Sequence, residues 1–230
     1  MSELGISVII PTLDEQAQIR EILDQTHYQG VERIVVDAES SDGTVQRARE
    51  AGAELVLTSA RGRARQLSAG VARARGPILL FLHADTRLPA GWPDPVRAAL
   101  ERPGVVAGAF SLRFEGPGAA LGAVGLGANL RSRYLGLPYG DQALFALASS
   151  LQAIGGIPDV PLFEDLDLVR ALSRRGKVEV LAEFVETSGR RYQRNGVCRT
   201  VLQHQFALAA YFLGVDRERV AAWYRSQPSR

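Results

Sequence analysis

Short apolar runs alternate with helical patterns along the first hundred residues of the chain. Each run is continuous rather than alternating, which is typical of strands buried on both faces of a sheet. The runs cover residues 7–10, 33–36, 55–57 and 78–82. Helical segments follow the first three runs: one after Asp14, one from residue 41 to Gly52, and one over residues 61–75. This order predicts an α/β fold with a mostly parallel central sheet and helices on both faces.

The regular alternation of strands and helices ends at Pro103. Strands are predicted over residues 105–112, 143–147 and 178–185, and helices around 129–134, from Ser149 to Gly155, over 164–175 and in two pieces between 196 and 224. No internal repeat and no linker separates these segments. We therefore expect one domain over residues 1–195, with residues 196–230 as a helical extension of the same domain.

Composition narrows the class of protein. The chain has 230 residues, 46% hydrophobic and 23% charged, which excludes a disordered, collagen-like or disulfide-scaffold protein. Cys198 is the single cysteine and cannot form an internal disulfide, so we expect a reducing compartment, the cytoplasm. Pro11 closes the first apolar run, so we expect no secretory signal. Residues 116–130 are too short to span a bilayer, so no transmembrane segment is expected, while contact with a membrane surface stays open.

Charge and missing motifs argue against three function classes. The formal net charge is only +2, and the arginines between residues 61 and 75 scatter around their helix without interleaved aromatic residues. We therefore expect no nucleic-acid partner. No G-x-G-x-x-G follows the first strand and no G-x-S-x-G occurs, which argues against dinucleotide redox chemistry and Ser/His/Asp hydrolysis.

Carboxylates follow three of the predicted strands at the point where each strand ends. Asp14 and Glu15 follow the first strand, Asp37 and Asp42 the second, and Asp85 the fourth. The carboxyl ends of parallel strands meet at one edge of a sheet, where ligands bind. Carboxylates held close together repel unless a cation or hydrogen-bond donors compensate them. For Asp14 and Asp42 a simple helix-capping role is an equal alternative.

His83 and Asp85 are two residues apart after a wholly apolar strand, so they point to the same face of an extended segment. A carboxylate in that position is costly unless it binds a cation or a charged ligand. The pair predicts a divalent cation, Mg²⁺ or Mn²⁺, since Mn²⁺ accepts imidazole more readily. A neutral His83, hydrogen-bonded at the rim of the pocket, is the open alternative.

Four motifs together resemble family 2 glycosyltransferases. Residues 7–15 (SVIIPTLDE) look like the family's opening strand and loop, and residues 36–44 (VDAESSDGT) like its second-strand motif. Residues 81–85 (FLHAD) occupy the place of its D-x-D metal motif, and Glu164-Asp165 matches the E-D pair that opens a later helix. The resemblance covers residues 7–175 in the family's order. It implies a GT-A fold, a nucleoside-diphosphate sugar donor, a divalent cation, a small-molecule acceptor and an inverting, hexosyltransferase-like reaction.

The resemblance also implies roles for individual positions. It implies a nucleotide pocket formed by Pro11, Thr12, Glu15, Asp37, Asp42, Arg61, Arg65 and Ala84. Asp85 is implied to hold the metal, and Asp165 to act as the general base with Glu164 beside it. The departures from the family pattern are His83, in place of the first Asp of D-x-D, and Glu39. The sequence over residues 81–86 (FLHADT), together with residues 188–192 and 195–196, resembles a bacterial subgroup of these transferases that is linked to arsenosugar biosynthesis.

Phosphate and acceptor contacts are further expectations. Negative charge that builds on a departing diphosphate must be offset, and the forked donors of Arg190 and Arg191 suit that task. A solvated arginine pair is the alternative, as is a purely capping role for the Glu164-Asp165 pair. Contacts to the acceptor or the donor sugar are predicted for Gly140, Asp141 and Gln142.

Three alternatives stay open at this point. His83 motivates a catalytically silent nucleotide-sugar binding protein. A sugar-phosphate nucleotidylyltransferase is disfavoured, because no Gly-rich loop suited to a triphosphate follows the first strand. The C-terminal helix carries an apolar stripe that is expected to pack on the domain; a homodimer contact and a lipid-facing platform are the alternatives. The stripe consists of Phe206, Leu208, Tyr211, Phe212 and Leu213.

Overall fold

The computed structural model of the chain describes residues 5–116 and 118–226, without the side chains of Arg191 and Arg225. The strands are β1 Ile6–Thr12, β2 Val31–Asp37, β3 Leu55–Thr58, β4 Ile78–Phe81, β5 Thr86–Arg87, β6 Val105–Glu115, β7 Phe145–Leu147 and β8 Lys177–Ser188. The α-helices are α1 Ile19–Gln25, α2 Thr44–Glu50, α3 Arg63–Val71, α4 Pro93–Leu100, α5 Ala119–Leu135, α6 Ala148–Ala153, α7 Glu164–Ser173, α8 Arg190–Asn195, α9 Val197–Phe212 and α10 Arg217–Ser226. A single 3₁₀ turn over Gly140–Gln142 precedes β7.

The described strands form one sheet in the order β3-β2-β1-β4-β7-β6-β8-β5. The pairs β1–β2, β1–β4, β2–β3 and β6–β8 are parallel. In contrast, β7 is antiparallel to both β4 and β6, and β5 is antiparallel to β8. The predicted α/β class is confirmed, and the sheet is mixed rather than purely parallel. The direction of β7 could not be predicted, because a three-residue apolar run carries no local signal of its direction.

The hydrophobic core lies on both faces of the sheet. Successive residues of β1 alternate between the faces, so Val8 and Ile10 pack with α1, α2 and α4, whereas Ile9 packs with α3, α6 and α7. Burial of apolar surface on both faces explains why the central strands read as continuous apolar runs. Trp92 is fully buried in the first of these layers and therefore serves packing.

The helix α3 approaches the sheet unusually closely. A Cβ added at Gly70 would lie 2.5 Å from Cγ2 of Ile9, so only glycine allows this packing distance. The helix ends at Val71 rather than at residue 75, because the Arg75 N–H donates to Oε2 of Glu32 at 3.0 Å and ties the following turn to β2. The start of α3 is thereby held beside the carboxyl ends of the central strands.

Two other helices differ from the sequence-based expectation. The helix α5 begins at Ala119, ten residues before the expected start, and its Gly125 packs against the carbonyl of Leu112 on β6. Tertiary contact thus outweighs the weak helix propensity of a Gly-rich segment. The predicted break near residue 214 separates α9 from α10, while α8 forms where a loop was expected around Arg190.

Candidate functional site

The ends of β1 and β2 are tied together around Asp37. Thr12 Oγ1 donates to Asp37 Oδ1 at 3.1 Å, and the Ser40 N–H donates to Oδ2 at 2.8 Å. Gln66 on α3 donates to the carbonyls of both Thr12 and Val36. Thr12 and Asp37 are almost completely buried, so in this arrangement they shape the edge of the sheet. Their predicted nucleotide contacts stay predictions.

The two carboxylates offered as helix caps behave differently. Asp42 accepts a hydrogen bond of 2.9 Å from the N–H of Thr44, the first residue of α2, although Gly43 is the N-cap residue; the capping interpretation therefore holds only in that Asp42 binds the first turn. For Asp14 that interpretation is wrong, because α1 begins only at Ile19. The Asp14 backbone has φ 54°, and its carboxylate accepts from the Ser41 N–H at 2.8 Å. The left-handed backbone turns the chain toward the β2 loop instead of into a helix.

A cluster around Arg63 forms the centre of the candidate site. The Arg63 Nε lies 3.0 Å from Oε1 of Glu164, and its Nη2 donates to His83 Nε2. We call Arg63, His83, Gly140, Glu164 and Asp165 the Arg63 cluster; Pro11 lines the same pocket. Burial and the neighbouring Arg63 hold the pKa of His83 well below its usual range, so the imidazole is neutral. The Nε2 lone pair of the neutral His83 ring accepts the hydrogen bond from the Arg63 guanidinium group.

The Glu164-Asp165 pair lies at the first turn of α7, as expected. Glu164 is buried, which raises the pKa of its carboxyl group, while the Arg63 charge opposes that rise. Asp165 Oδ2 accepts from the Gly140 N–H at 2.7 Å, and Oδ1 accepts from the Leu166 N–H at 2.8 Å. These two backbone donors fix the orientation of the Asp165 carboxylate and join α7 to the 3₁₀ turn.

The 3₁₀ turn contributes residues with different environments. A Cβ at Gly140 would lie 3.1 Å from His83 Nε2 and 3.2 Å from Asp165 Oδ2, so glycine permits the close approach. Burial raises the pKa of Asp141 to about 6, and its Oδ1 is buried without a hydrogen-bond partner. Gln142 faces the interior, where it donates to the Phe110 carbonyl and accepts from Ser132. The predicted sugar contact of Gln142 is thus untested and would require these bonds to break.

A second region, an open cleft of about 370 Å³, adjoins Asp85. Ala84, Asp85 and Arg190 line this cleft. Burial raises the pKa of Asp85, and the charge of Arg190 opposes that rise. The pKa of Glu15 is raised by burial and by the negative charge of Asp85. The Gln18 amide, in the orientation that satisfies both ends, donates to Glu15 at 3.0 Å and accepts from Arg190 at 2.7 Å.

The arginines of α3 and its preceding loop occupy unexpected positions. Arg61 and Arg65 are exposed, and Arg65 lies 3.8 Å from an Asp159 oxygen on the outer surface. Arg63, which was not singled out, is the one of the three that reaches Glu164 in the candidate site. Three arginines at every second position gave no local signal to distinguish them. The side chain of Arg191 lies outside the described part of the chain.

The cleft tests the expectation of a divalent cation. Asp85 and Glu15 are hard oxygen donors; burial raises the pKa of each, and the charge of Asp85 raises that of Glu15 further, so this donor chemistry suits Mg²⁺ or Mn²⁺. His83 does not fit as a ligand in this arrangement, because its Nε2 already accepts from Arg63. Within residues 5–116 and 118–226, no group of three or more His, Cys, Asp or Glu side chains is assembled for a metal. The residues present therefore fit a cation only with further oxygen donors from a bound molecule.

No helix within the described residues combines the length and apolar character needed to cross a membrane.

Solved structures similar to this chain include a mannosyltransferase and a glucosyl-3-phosphoglycerate synthase. The mannosyltransferase PcManGT from Pyrobaculum calidifontis, in complex with GDP-Man and Mn²⁺, is 25% identical with a TM-score of 0.60, over 79% of this chain and 56% of that one. TarS from S. aureus, in complex with UDP-GlcNAc, is 17% identical with a TM-score of 0.63, over 80% and 58%. Glucosyl-3-phosphoglycerate synthase from Mycobacterium tuberculosis, with Mn²⁺, UDP and phosphoglyceric acid, is 24% identical with a TM-score of 0.56, over 80% and 69%.

These likenesses confirm the expected GT-A fold. The chain spans less than two thirds of the length of the first two structures. No curated protein matches the sequence. The sequence pattern of the family described as "Glycosyl transferase family 2" matches residues 7–125, just over half of this chain. With four motifs in order, a GT-A fold and this match, the chain belongs to glycosyl transferase family 2.

Proposed function

We propose that this protein is an inverting, hexosyltransferase-like enzyme that moves a sugar from a nucleoside diphosphate to the hydroxyl group of a small-molecule acceptor. The observation that carries the proposal is the fixed Asp165 carboxylate beside the neutral His83 and the Arg63–Glu164 ion pair. This cluster lies at the carboxyl edge of the sheet, beside the cleft at Asp85. A base and a phosphate-binding cleft at one edge are the two parts that such a transfer needs.

Asp165 is the proposed general base. In an inverting transfer, the acceptor hydroxyl loses its proton to a group on the face opposite the leaving diphosphate. Each Asp165 oxygen accepts one backbone hydrogen bond, which leaves a lone pair on each oxygen for a hydroxyl proton. The neighbouring Glu164 is held by Arg63, so its proposed role is to orient that arginine.

The cleft lined by Asp85 and Arg190 is the proposed site of the diphosphate. Arg190 supplies a forked cationic donor at its wall, and Gln18, itself bound to Glu15, holds that side chain in place. A divalent cation, held by Asp85 with Glu15 nearby, would supply positive charge to the departing diphosphate. The Mn²⁺ in two of the similar structures supports this proposal.

His83 and Arg63 are proposed to act together rather than as metal ligands. The hydrogen bond from Arg63 fixes Nε2 as an acceptor, so the proton of the neutral ring is on Nδ1. His83 thus gives Arg63 a neutral partner in addition to Glu164. The guanidinium group is then oriented toward the edge where the carboxylates gather.

The narrower assignment, to the bacterial subgroup linked to arsenosugar biosynthesis, is a proposal that rests on sequence variants. The motif over residues 81–86 and the segments 188–192 and 195–196 support it. In the structure the first two of these segments meet, because the Ser188 N–H donates to the Asp85 carbonyl at 3.2 Å. That contact gives the co-occurrence of the two segments a physical basis.

The test is a donor screen followed by the substitution Asp165→Asn. We expect kcat for transfer to fall by about 10²–10⁴-fold, the usual contribution of a general base, with little change in donor affinity. Asp24→Asn, at an exposed position of α1, is the matched control and should leave kcat unchanged.

Wild-type turnover in Asp165→Asn contradicts the base assignment. Donor binding by the unmodified enzyme, with neither transfer nor slow hydrolysis, would instead favour a silent binding protein. Release of pyrophosphate from a nucleoside triphosphate and a sugar phosphate would identify a nucleotidylyltransferase.

A further inference from the structure

Most of the exposed large apolar side chains lie on or directly after two helices. Nine of the twelve such residues in the described part of the chain belong to α5, α9 or the residues just after α9. They are Leu126, Leu130, Tyr134, Leu135, Leu202, Phe206, Phe212, Leu213 and Val215. Single exposed apolar residues need no explanation, but a concentration of this kind marks a surface that contacts something.

In both helices most of the large apolar side chains face solvent, while mainly small or polar residues face the domain. The buried stripe of α5 consists of Leu121, Gly125, Ala128 and Ser132, whereas the outer side carries Leu126, Leu130 and Tyr134. In α9 the buried stripe is Thr200, Gln203, Ala207 and Ala210, and the outer side carries Leu202, Phe206 and Phe212. A helix that packs only on its own domain places its larger apolar residues inward. The reversal therefore indicates a second apolar environment outside the domain.

The two helices contact each other, so both outer stripes belong to one region of the molecule. Leu202 is 69% exposed and Leu130 47%, although both are apolar. Phe206 contacts Trp223 of α10 at 4.7 Å between ring centroids, and it still exposes 62% of its area. We call the outer stripes of α5 and α9 the apolar platform.

All charged residues of α5, α8 and α9 themselves are basic, whereas the acidic residues Glu115, Asp216 and Glu218 lie just beyond these helices. Residues 116–140 and 189–215 contain no Asp or Glu, although the whole chain has 25 acidic residues among 230. Exposed arginines occur in the same segments, at Arg133 on α5, Arg194 on α8 and Arg199 on α9. An apolar surface with basic and no acidic residues complements an anionic surface that has an apolar interior.

We propose that the apolar platform binds the surface of a lipid bilayer that contains anionic lipids. The Leu and Phe side chains would enter the boundary between head groups and acyl chains, while the arginines pair with lipid phosphates. A second copy of the chain fits less well. In a two-fold dimer the same patch meets itself, which would bring the arginines of α5, α8 and α9 together while these helices supply no carboxylate partner.

The experiment is flotation of the full chain with vesicles of phosphatidylcholine alone or mixed with phosphatidylglycerol. We expect the protein to float with the mixed vesicles, to float poorly with the neutral ones, and to dissociate as salt is added. Leu130→Glu and Leu202→Glu should each weaken partitioning by about tenfold or more, since each places a charge where an exposed Leu would enter the bilayer. Arg199→Glu should weaken it by about fivefold for mixed vesicles.

Ser68→Glu, which adds the same charge at an exposed position of α3, is the matched control and should partition like the unmodified chain. Unchanged melting temperatures would show that the variants are folded. Absence of binding, equal binding to both vesicle types, or binding that Leu130→Glu and Leu202→Glu leave unchanged would each overturn the proposal. A dimer that Leu130→Glu dissociates, with no vesicle binding, would overturn it in favour of a second copy. Partitioning is measured without a donor, so it is independent of the proposed enzymatic activity.

Discussion

Arg63 shows how one side chain can join groups that are distant in sequence. Its guanidinium group contacts Glu164, which lies on another helix about a hundred residues away, and His83 after β4. Because the guanidinium is planar and always charged, it can hold a carboxylate and a neutral imidazole in fixed directions at once. The raised pKa of Glu164 and the lowered pKa of His83 are both consequences of burying this group of polar residues together.

Asp141 is a residue at which pH should alter stability. Its pKa is raised to about 6 by burial, so the folded state binds a proton more tightly than the unfolded state does. The free energy of unfolding should therefore fall as pH rises from about 4 to 6, because ionisation is disfavoured in the folded state. Asp141→Asn removes this ionisation. The difference in unfolding free energy between the variant and the unmodified protein should shift by up to about 3 kcal/mol in favour of the variant as pH rises from about 4 to 7.

Urea unfolding of both proteins at about pH 4 and about pH 7 measures this effect. Asp24→Asn, at an exposed position, serves as the control and should show no such gain. A difference in unfolding free energy between Asp141→Asn and the unmodified protein that stays constant with pH would contradict the prediction.

At the scale of elements, the 3₁₀ turn and the start of α7 work as one unit. The turn provides the Gly140 N–H that orients Asp165, and its glycine leaves room for Arg63 and His83. Phe163, before α7, has φ 64°, so the chain enters the helix from a left-handed residue. The direction of the Asp165 carboxylate is thus determined by two short elements that are remote in sequence.

Gly140→Ala should disturb this unit. The added Cβ would contact Arg63 and lie 3.1 Å from His83 Nε2 and 3.2 Å from Asp165 Oδ2, so these side chains must move. A shift of about 1 Å in a positioned group can cost roughly 10²-fold in rate, and we expect a loss of kcat on that order. The measurement is the transfer rate together with the melting temperature.

Gly127→Ala provides the matched control. Gly127 lies on an exposed turn of α5, and an added Cβ there meets nothing within 4 Å. The substitution should stabilise the protein by up to about 1 kcal/mol, because alanine favours the helix. Its kcat should not change, and equal activity of both variants would show that the 3₁₀ turn does not position the base.

For the whole molecule, the order of the strands places the two halves of the site side by side. β4 lies between β1 and β7, so the segment with His83 and Asp85 emerges between the β1 loop and the 3₁₀ turn before β7. The β8 end then brings Arg190 to the cleft, through the Ser188 contact with Asp85. Residues from four parts of the chain meet because the sheet, rather than local sequence, arranges them.

A nucleoside diphosphate together with Mn²⁺ should stabilise the folded chain. A ligand at a hundred times its Kd adds about 2.7 kcal/mol, which corresponds to a rise of roughly 5–10 °C in Tm for a protein of this size. Asp85→Asn should abolish the part of the rise that depends on Mn²⁺, since it removes the carboxylate nearest the proposed cation.

Thermal melting with diphosphate alone, Mn²⁺ alone and both together separates these contributions. The control is again Asp24→Asn, which should melt like the unmodified chain under each condition. A rise in Tm that is the same with and without Mn²⁺ would contradict a cation at Asp85.

The α/β class, the first four strands and the Glu164-Asp165 helix start were predictable from the sequence. Continuous apolar runs identify strands buried on both faces, and the motif residues follow them directly. The family could also be inferred, because four motifs in order are far more specific than one. These features depend on neighbouring residues, whose spacing is fixed by the backbone geometry of strands and helices.

The tertiary structure alone decided which remote groups meet. Nothing local distinguishes Arg63 from Arg61 and Arg65, and the direction of β7 has no signature in three residues. The burial of Asp141 and the outward large residues of α5 are likewise set by what packs against each element. Periodicity fixes local conformation within a few residues, whereas contacts across the sheet depend on strand order and loop paths, which involve the whole chain.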